Sequence, residues 1–229
     1  MLKDMQRCPR SEGQKMNKII LLGAGGAGKA ILQILLDINK ITNQWDIVGF
    51  LDDDIALHGK KILGFPVHDS LDWLHGKKDV SLVLIFGIPS TRKKVYDRIH
   101  AWGNFDFPAI IHPTAIIPDL SQVACGTVIY PQVVSDPDSK IGSFSLINKH
   151  SSIGHDSLIN DFCVISPNSS IGGFAKIGTC CFVGMNVAII QGITICKNVT
   201  IGAGASVVKD IDSEGTFVGV PARKISKKG

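Results

Sequence analysis

Nowhere in the 229-residue chain is there a run of 18 apolar residues, so no membrane-crossing helix is expected and membrane insertion is not part of the reading. The opening MLKDMQRCPRSEGQK lacks a hydrophobic export segment, which sets the expectation of a cytoplasmic protein. Residues 1–15 read as a flexible leader and 226–229 as a tail. Charge of one sign is scarce as well. The net charge of +4 is spread thinly, and its small cluster at Arg223, Lys224, Lys227 and Lys228 has no interleaved aromatics, so nucleic acid is not an expected partner. The six cysteines show neither metal-site spacing nor a disulfide framework, and no metal is expected. Cys163 and Cys181, 18 residues apart, read as stacked core thiols.

What the chain has in abundance is a period of six. From Ile111 to Val207 every sixth residue is aliphatic, with Ser135 the one exception among 17 positions. Two residues before each sits a small or β-branched residue, such as Ser145, Ser151, Ser157, Cys163 and Ser169. Glycine recurs directly after the aliphatic position, as at Gly142, Gly154, Gly172 and Gly184. A helix repeats its apolar face at about 3.6 residues and a strand at about 2, so this period calls for a triangular solenoid with one hexad per side. The 24 glycines fit an object with many corners. No long loop interrupts the repeat, so chemistry must use the prism surface, its neighbours or the preceding domain.

That preceding domain spans residues 16–108, and the solenoid 109–225. NKIILL (17–22) reads as a buried strand, GAGGAGKA follows, and AILQILLDINK reads as a helix. Gly23, Gly25, Gly26 and Gly28 have the form of a phosphate-cradling turn, in which glycines admit close approach and a helix N-terminus offers N–H groups. WDIVGF is a second strand; Asp52 and Asp53 after it stand where an acid could hold a ribose. VSLVLIF is a third strand and STRKKVYDRIHAW a helix. Its Arg92, Lys93 and Lys94 lie near the positive end of the helix dipole, which suggests a phosphate-bearing ligand or a nearby acid. Three or four strands are too few for two mononucleotide-binding halves, which argues against a hydride-transfer enzyme.

Within the solenoid His155 falls two residues after Ile153, outside the prism, with Asp156 next to it. Its column, read one coil at a time, is Pro137, His155, Gly173, Gln191, Lys209. Imidazole titrates near neutrality and can accept a proton, and a bare glycine one coil away leaves room for an extended ligand. His150, near Asn148, and His112 at the domain junction are weaker candidates.

GAGGAGK, GFLDDD, FPAIIHPTA, INKHSSIGHD, FCVISPNSSIGG and IGAGASVVKDI with GVPAR together resemble the bacterial sugar O- and N-acetyltransferases over residues 17–225. The resemblance implies an α/β N-terminal domain, a Rossmann-like half of βαβ form, followed by a left-handed parallel β-helix of hexapeptide repeats. It implies a homotrimer with acetyl-CoA between neighbouring prisms and the nucleotide of a sugar substrate on the N-terminal domain. Carried residue by residue, it makes His155 the general base, Asp156 its acidic partner, Asn148 a neighbour of the acceptor and Gly173 a neighbour of the thioester. Ile201, Gly202, Ala203, Lys209 and Pro221 would meet the rest of CoA; the glycine turn, Asp52, Asp53 and Arg92 would meet the nucleotide sugar. The chain departs from the family at Ala27 and Val164, where histidines are common, at Asn168, where glycine is common, and in the GIPSTR loop; these departures touch the acceptor side. The expected activity is acetyl-CoA-dependent N-acetylation of a nucleotide-linked 4-amino sugar. O-acetylation of sialic acid or a related sugar, transfer of a longer acyl group, and an idle nucleotide-sugar scaffold are the alternatives.

Overall fold

The computed structural model describes residues 16–118 and 122–225; the expected leader and tail, with Lys227 and Lys228, lie outside the described residues. The N-terminal part runs β1 (Asn17–Leu22), α1 (Gly26–Thr42), β2 (Trp45–Leu51), β3 (Lys61–Ile62), β4 (Phe65–Pro66), β5 (Ser81–Leu84) and α2 (Pro89–His100). β1 lies between β2 and β5 in a parallel sheet, order β2-β1-β5. The continuous apolar run of β1 follows from burial on both sides. Ile19 and Leu21 join the cluster containing Ile31 and Leu35 of α1, while Ile20 and Leu22 join the cluster of Ile99, Leu82 and Leu84. α1 begins at Gly26, inside the glycine motif and ahead of the apolar run AILQ, and stops at Asn43, whose left-handed conformation lets its N–H reach Asn39 O at 3.0 Å. The β3–β4 hairpin and two short 3-10 turns, Ile55–Leu57 and Leu71–Leu74, fill the span between β2 and β5.

From Ile110 onward the chain winds into a three-sided parallel β-helix. The first face carries Ile110–Ile111, Val128–Ile129, Leu146–Ile147, Val164–Ile165, Phe182–Val183, Val199–Ile201 and Gly215–Val218, closed by the antiparallel Arg223–Ile225. The second runs from Val134–Ser135 through Ser152–Ile153, Ser170–Ile171 and Ala188–Ile189 to Ser206–Val207. The third runs from Gln122–Val123 through Lys140–Ile141, Leu158–Ile159 and Lys176–Ile177 to Thr194–Ile195. The hexad aliphatics Ile129, Ile141, Ile147, Ile153, Ile159 and Ile165 form the interior. Cys163 and Cys181 are fully buried there, each thiol donating to a carbonyl of the following coil, Gly178 O at 3.0 Å and Cys196 O at 3.1 Å. The neighbouring Cys181 thiol, together with burial, pushes Cys163 up, which suits a packing group and not a nucleophile.

The corners correct part of the expectation about glycine. From Gly126 to Gly204 the residue with positive φ is the third after each inward position; glycine fills it at Gly126, Gly192 and Gly204, but Gln132, Asp138, Phe144, His150, Asp156, Phe162, Asn168, Phe174, Cys180, Asn186 and Asn198 adopt it as well. The glycines directly after the aliphatics serve a different need, close approach of adjacent coils. A Cβ at Gly154 would sit 2.5 Å from Gly173 N.

The two parts dock through the first face and the third-to-first corner. Val128, Tyr130, Leu146 and Val164 on the outside of the first face are buried in the α1 cluster. Along the corner, Tyr96 of α2 packs 4.3 Å from the Phe144 ring, which stacks on Phe162 at 5.1 Å. Arg92 corrects the expectation of a phosphate contact. It is fully buried, and its guanidinium donates to Phe144 O (2.6 Å), Leu84 O (2.8 Å), Phe86 O (3.2 Å) and Gly126 O (3.3 Å), stitching β5 to two coils of the prism. Burial pulls its pKa down to about 10, so the group still carries its charge at neutral pH, offset by carbonyl dipoles. Arg92→Met should therefore lower unfolding free energy by about 3 kcal/mol in a denaturant titration, since charge-assisted bonds to buried carbonyls are lost; Arg92→Lys should recover only part of it because one ammonium cannot reach all four oxygens.

Candidate active site

His155 and Asp156 occupy the second-to-third corner, and Asp156, third after Ile153, takes the left-handed conformation of these corners at φ 56. The turn brings the carboxylate back to its neighbour, so that His155 Nδ1 and Asp156 Oδ2 stand 2.9 Å apart. With Nδ1 donating to the carboxylate, Nε2 carries the lone pair and is the atom able to take a proton. The side chains are 55% and 45% exposed, so the contact is wet and by itself weak.

Gly173 lies one coil away, and its role differs from the expected open gap. The imidazole leans over it: a Cβ there would lie 2.8 Å from Nε2, 2.9 Å from Cε1 and 3.1 Å from Cδ2. The missing side chain is thus a seat for the ring. Phe174, missed in the sequence reading, touches the same ring edge to face at 5.0 Å and 89°. Its N–H donates to His155 O at 2.9 Å.

Asn148 and His150 lie at the first-to-second corner, so within one chain they are separated from His155 by the width of the second face. Asn148 Oδ1 accepts from Lys149 N at 2.9 Å. That second face carries no charged side chain at Ile116, Val134, Ser152, Ser170, Ala188 and Ser206, the positions before its inward residues, and one, Asp136, among those directly after them, whereas the third shows Lys140 and Lys176. The apolar residues Phe174, Ile190 and Val208 on one rim and Met185 on the other are exposed.

In the N-terminal domain the four motif glycines divide into two pairs. Gly23 and Gly28 answer to packing, for a Cβ on either would meet Ile85 at 2.7 Å. Gly25 and Gly26 face open space, which leaves the start of α1 accessible. Asp52 accepts from Ala24 N (2.7 Å) and Asp54 N (2.9 Å), holding the glycine turn in place. Asp53 accepts from Leu71 N (3.1 Å) and pairs with Arg98 at 2.6 Å. Both carboxylates therefore have structural partners, and Arg98, whose pairing joins distant segments, was invisible to a reading of spacing. Lys93 is offset by Asp97 at 2.7 Å, an i,i+4 pair that the sequence does display. It lines a groove of about 560 Å³ between the start of α2 and the upper first face, with Ser90, Lys94, Phe182, Asn198 and Thr200.

At the far end of the prism Lys209 shares a second hollow of about 360 Å³ with Arg223, Lys224 and Phe217. Ala203 and Pro221 are exposed, but Ile201 is fully buried inside the prism, so no ligand contact can use its side chain. Gly202 is needed where it stands, since a Cβ would meet Val218 at 2.7 Å. Among the described residues no three His, Cys, Asp or Glu side chains form a metal-holding group, and no helix is long and apolar enough to cross a membrane.

Residues 18–99 match the PglD N-terminal domain family model. The whole architecture recurs in the acetyltransferase domain of PglB from Neisseria gonorrhoeae, with a TM-score of 0.83, 26% identity, and coverage of 91% of this chain and 100% of that one; the same domain is also known in complex with acetyl coenzyme A. PerB from Caulobacter crescentus, solved with CoA and GDP-perosamine, matches at TM-score 0.81 and 26% identity over 93% of this chain and 99% of that one. WeeI from Acinetobacter baumannii matches at 0.80 and 25% over 90% and 99%. The fold is thus a PglD-type N-terminal domain on a left-handed β-helix. The sequence resemblance to the bacterial sugar acetyltransferases is thereby matched in three dimensions, by proteins that share this architecture over at least 90% of the chain.

The seat at Gly173 can be tested without an assay of activity. Gly173→Ala should change unfolding free energy by no more than about 0.5 kcal/mol, because the added carbon meets only a movable side chain. It should still push the ring off, visible as a shift of the His155 imidazole resonances in NMR.

Proposed function

We propose that the chain is an acetyl-CoA-dependent N-acetyltransferase acting in the cytoplasm on the amino group of a nucleotide-linked 4-amino sugar, in surface polysaccharide or glycan synthesis. The observation that carries this reading is the His155–Asp156 pair, with Nε2 free of the carboxylate and seated beside Gly173, on the fold of proteins solved with CoA and a nucleotide amino sugar. Nε2 takes the proton as the amine attacks the thioester carbonyl, the Gly173 N–H stabilises the oxyanion, and CoA thiolate leaves. No covalent enzyme intermediate is required.

The hollow of Lys209, Arg223 and Lys224, three cations beside the single acid Asp210, fits the phosphates of CoA. The open glycines of the α1 turn suit the acceptor's diphosphate, and Lys93 and Lys94 in the α2 groove take the phosphate role expected of Arg92. The second face, with Asp136 as its one charged side chain, supports a homotrimer built across it. In a cyclic arrangement the Asn148 corner of one subunit meets the His155 corner of the next, which would reunite the two residues.

A thiol-release screen with acetyl-CoA against UDP-, dTDP- and GDP-linked amino sugars and free sialic acid tests the reading. Release with at least one nucleotide-linked amino sugar is expected, falling roughly 10²–10⁴-fold in His155→Ala. Release with sialic acid alone would move the acceptor to a hydroxyl, and no release with any acceptor would leave a binding scaffold. A monomer by sizing would remove the intersubunit site.

A further inference from the structure

Of the aromatic residues at left-handed corners of the prism, two are covered and one is not. Phe144 and Phe162 are 5% and 8% exposed beneath Tyr96 of α2, so their packing justifies an aromatic side chain in a conformation that costs an ordinary residue on the order of 1–2 kcal/mol. Phe174 occupies the same place in its hexad, at φ 60, yet is 54% exposed. Within one chain neither burial nor corner geometry accounts for it, and among the described residues the one ring it contacts is that of His155, at 5.0 Å and 89°.

The imidazole needs such a contact. Its bond to Asp156 is exposed to water on both sides, and an exposed pair of this kind holds a side chain only loosely. Gly173 seats the ring from beneath without restricting rotation about its own axis. An aromatic ring set edge to face adds a directional contact, and a main-chain bond from Phe174 N to His155 O ties the two residues together across the coils. We infer that Phe174 is a positioning residue for His155, fixing the imidazole plane so that Nδ1 stays on Asp156 and Nε2 stays on the reacting amine. This rests on the proposed acetyl transfer.

Steady-state thiol release by the full chain, with the acceptor found in the screen, tests it in Phe174→Asn, Phe174→Gly, Phe174→Tyr and His155→Ala side by side. Asn and Gly accept the left-handed corner readily, so their melting temperatures should equal or exceed that of the parent. Their kcat should nevertheless fall roughly 10- to 100-fold, the scale of a misplaced reacting group, with KM for acetyl-CoA within about two-fold. Phe174→Tyr should restore kcat. Unchanged kcat in Asn and Gly while His155→Ala is inactive would overturn this inference alone. So would a loss of kcat accompanied by lower melting temperature or a changed oligomeric size, which would make Phe174 a packing or subunit-contact residue. Wild-type release by His155→Ala would overturn the inference together with the reading of the site on which it rests.

Discussion

The ladder of main-chain hydrogen bonds between successive coils governs this molecule. Gly154 N reaches Ile171 O at 2.8 Å, Gly172 N reaches Ile189 O at 2.9 Å, and the same step recurs up the prism. Because the bonds along the faces join residues 17 apart and those at the corners residues 19 apart, as from Phe174 N to His155 O, positions 18 apart must stack, at the spacing of about 4.8 Å set by strand pairing. A column of side chains therefore has no freedom of register. His155 lies over Gly173 for this reason, and the glycines beside it are the cost of letting two coils approach so closely. Substitution in one coil is felt in the next, which turns a surface column into a site whose members are specified by arithmetic.

The same rigidity explains how the N-terminal domain is held. A prism face offers a flat row of outward side chains, and on the first face these are Val128, Leu146 and Val164, apolar enough to be covered by α1. Apolar packing alone sets distance but little direction. Arg92 supplies direction, because a planar guanidinium with donors to carbonyls of β5, its following loop and two corners can be satisfied in one relative placement. A buried charge is expensive wherever it stands, and here four carbonyl partners repay the desolvation while tying the glycine-turn domain to the prism.

Most of the prism was legible in the sequence because its interior repeats every six residues without insertion, and one side chain per hexad decides inside from outside. The positions of His155, Asp156 and Gly173 followed from that count. What the count could not yield were contacts between segments far apart in sequence: Arg92 reads as a cation at a helix start and turns out to be an interdomain bond, and Asp53 reads as a ribose acid while its oxygens are taken by Leu71 N and Arg98. Ile201 carries a family motif, yet the hexad itself places its side chain inside, a signal present in the sequence and overlooked. Phe174 was hidden for a subtler reason. Its class at that place, aromatic at the third residue after the aliphatic, is shared with Phe144 and Phe162, and only the three-dimensional setting shows that its covering is missing.

Exposure then separates the faces by function. The first face is covered by the chain's own helix, and the third carries lysines suited to water. The second is not covered and carries a single charged side chain, Asp136, and it is bordered by exposed Phe174, Ile190 and Met185. The candidate dyad stands at its edge. Proton transfer to imidazole and stabilisation of an oxyanion by a main-chain N–H both gain strength when water is excluded, because the same dipoles act more strongly at lower dielectric. A half-exposed histidine and aspartate on a single chain lack that shielding. The open, largely apolar face beside them is where it can be supplied, so the surface that would join copies of the chain and the surface that would carry the chemistry are adjacent for one physical reason.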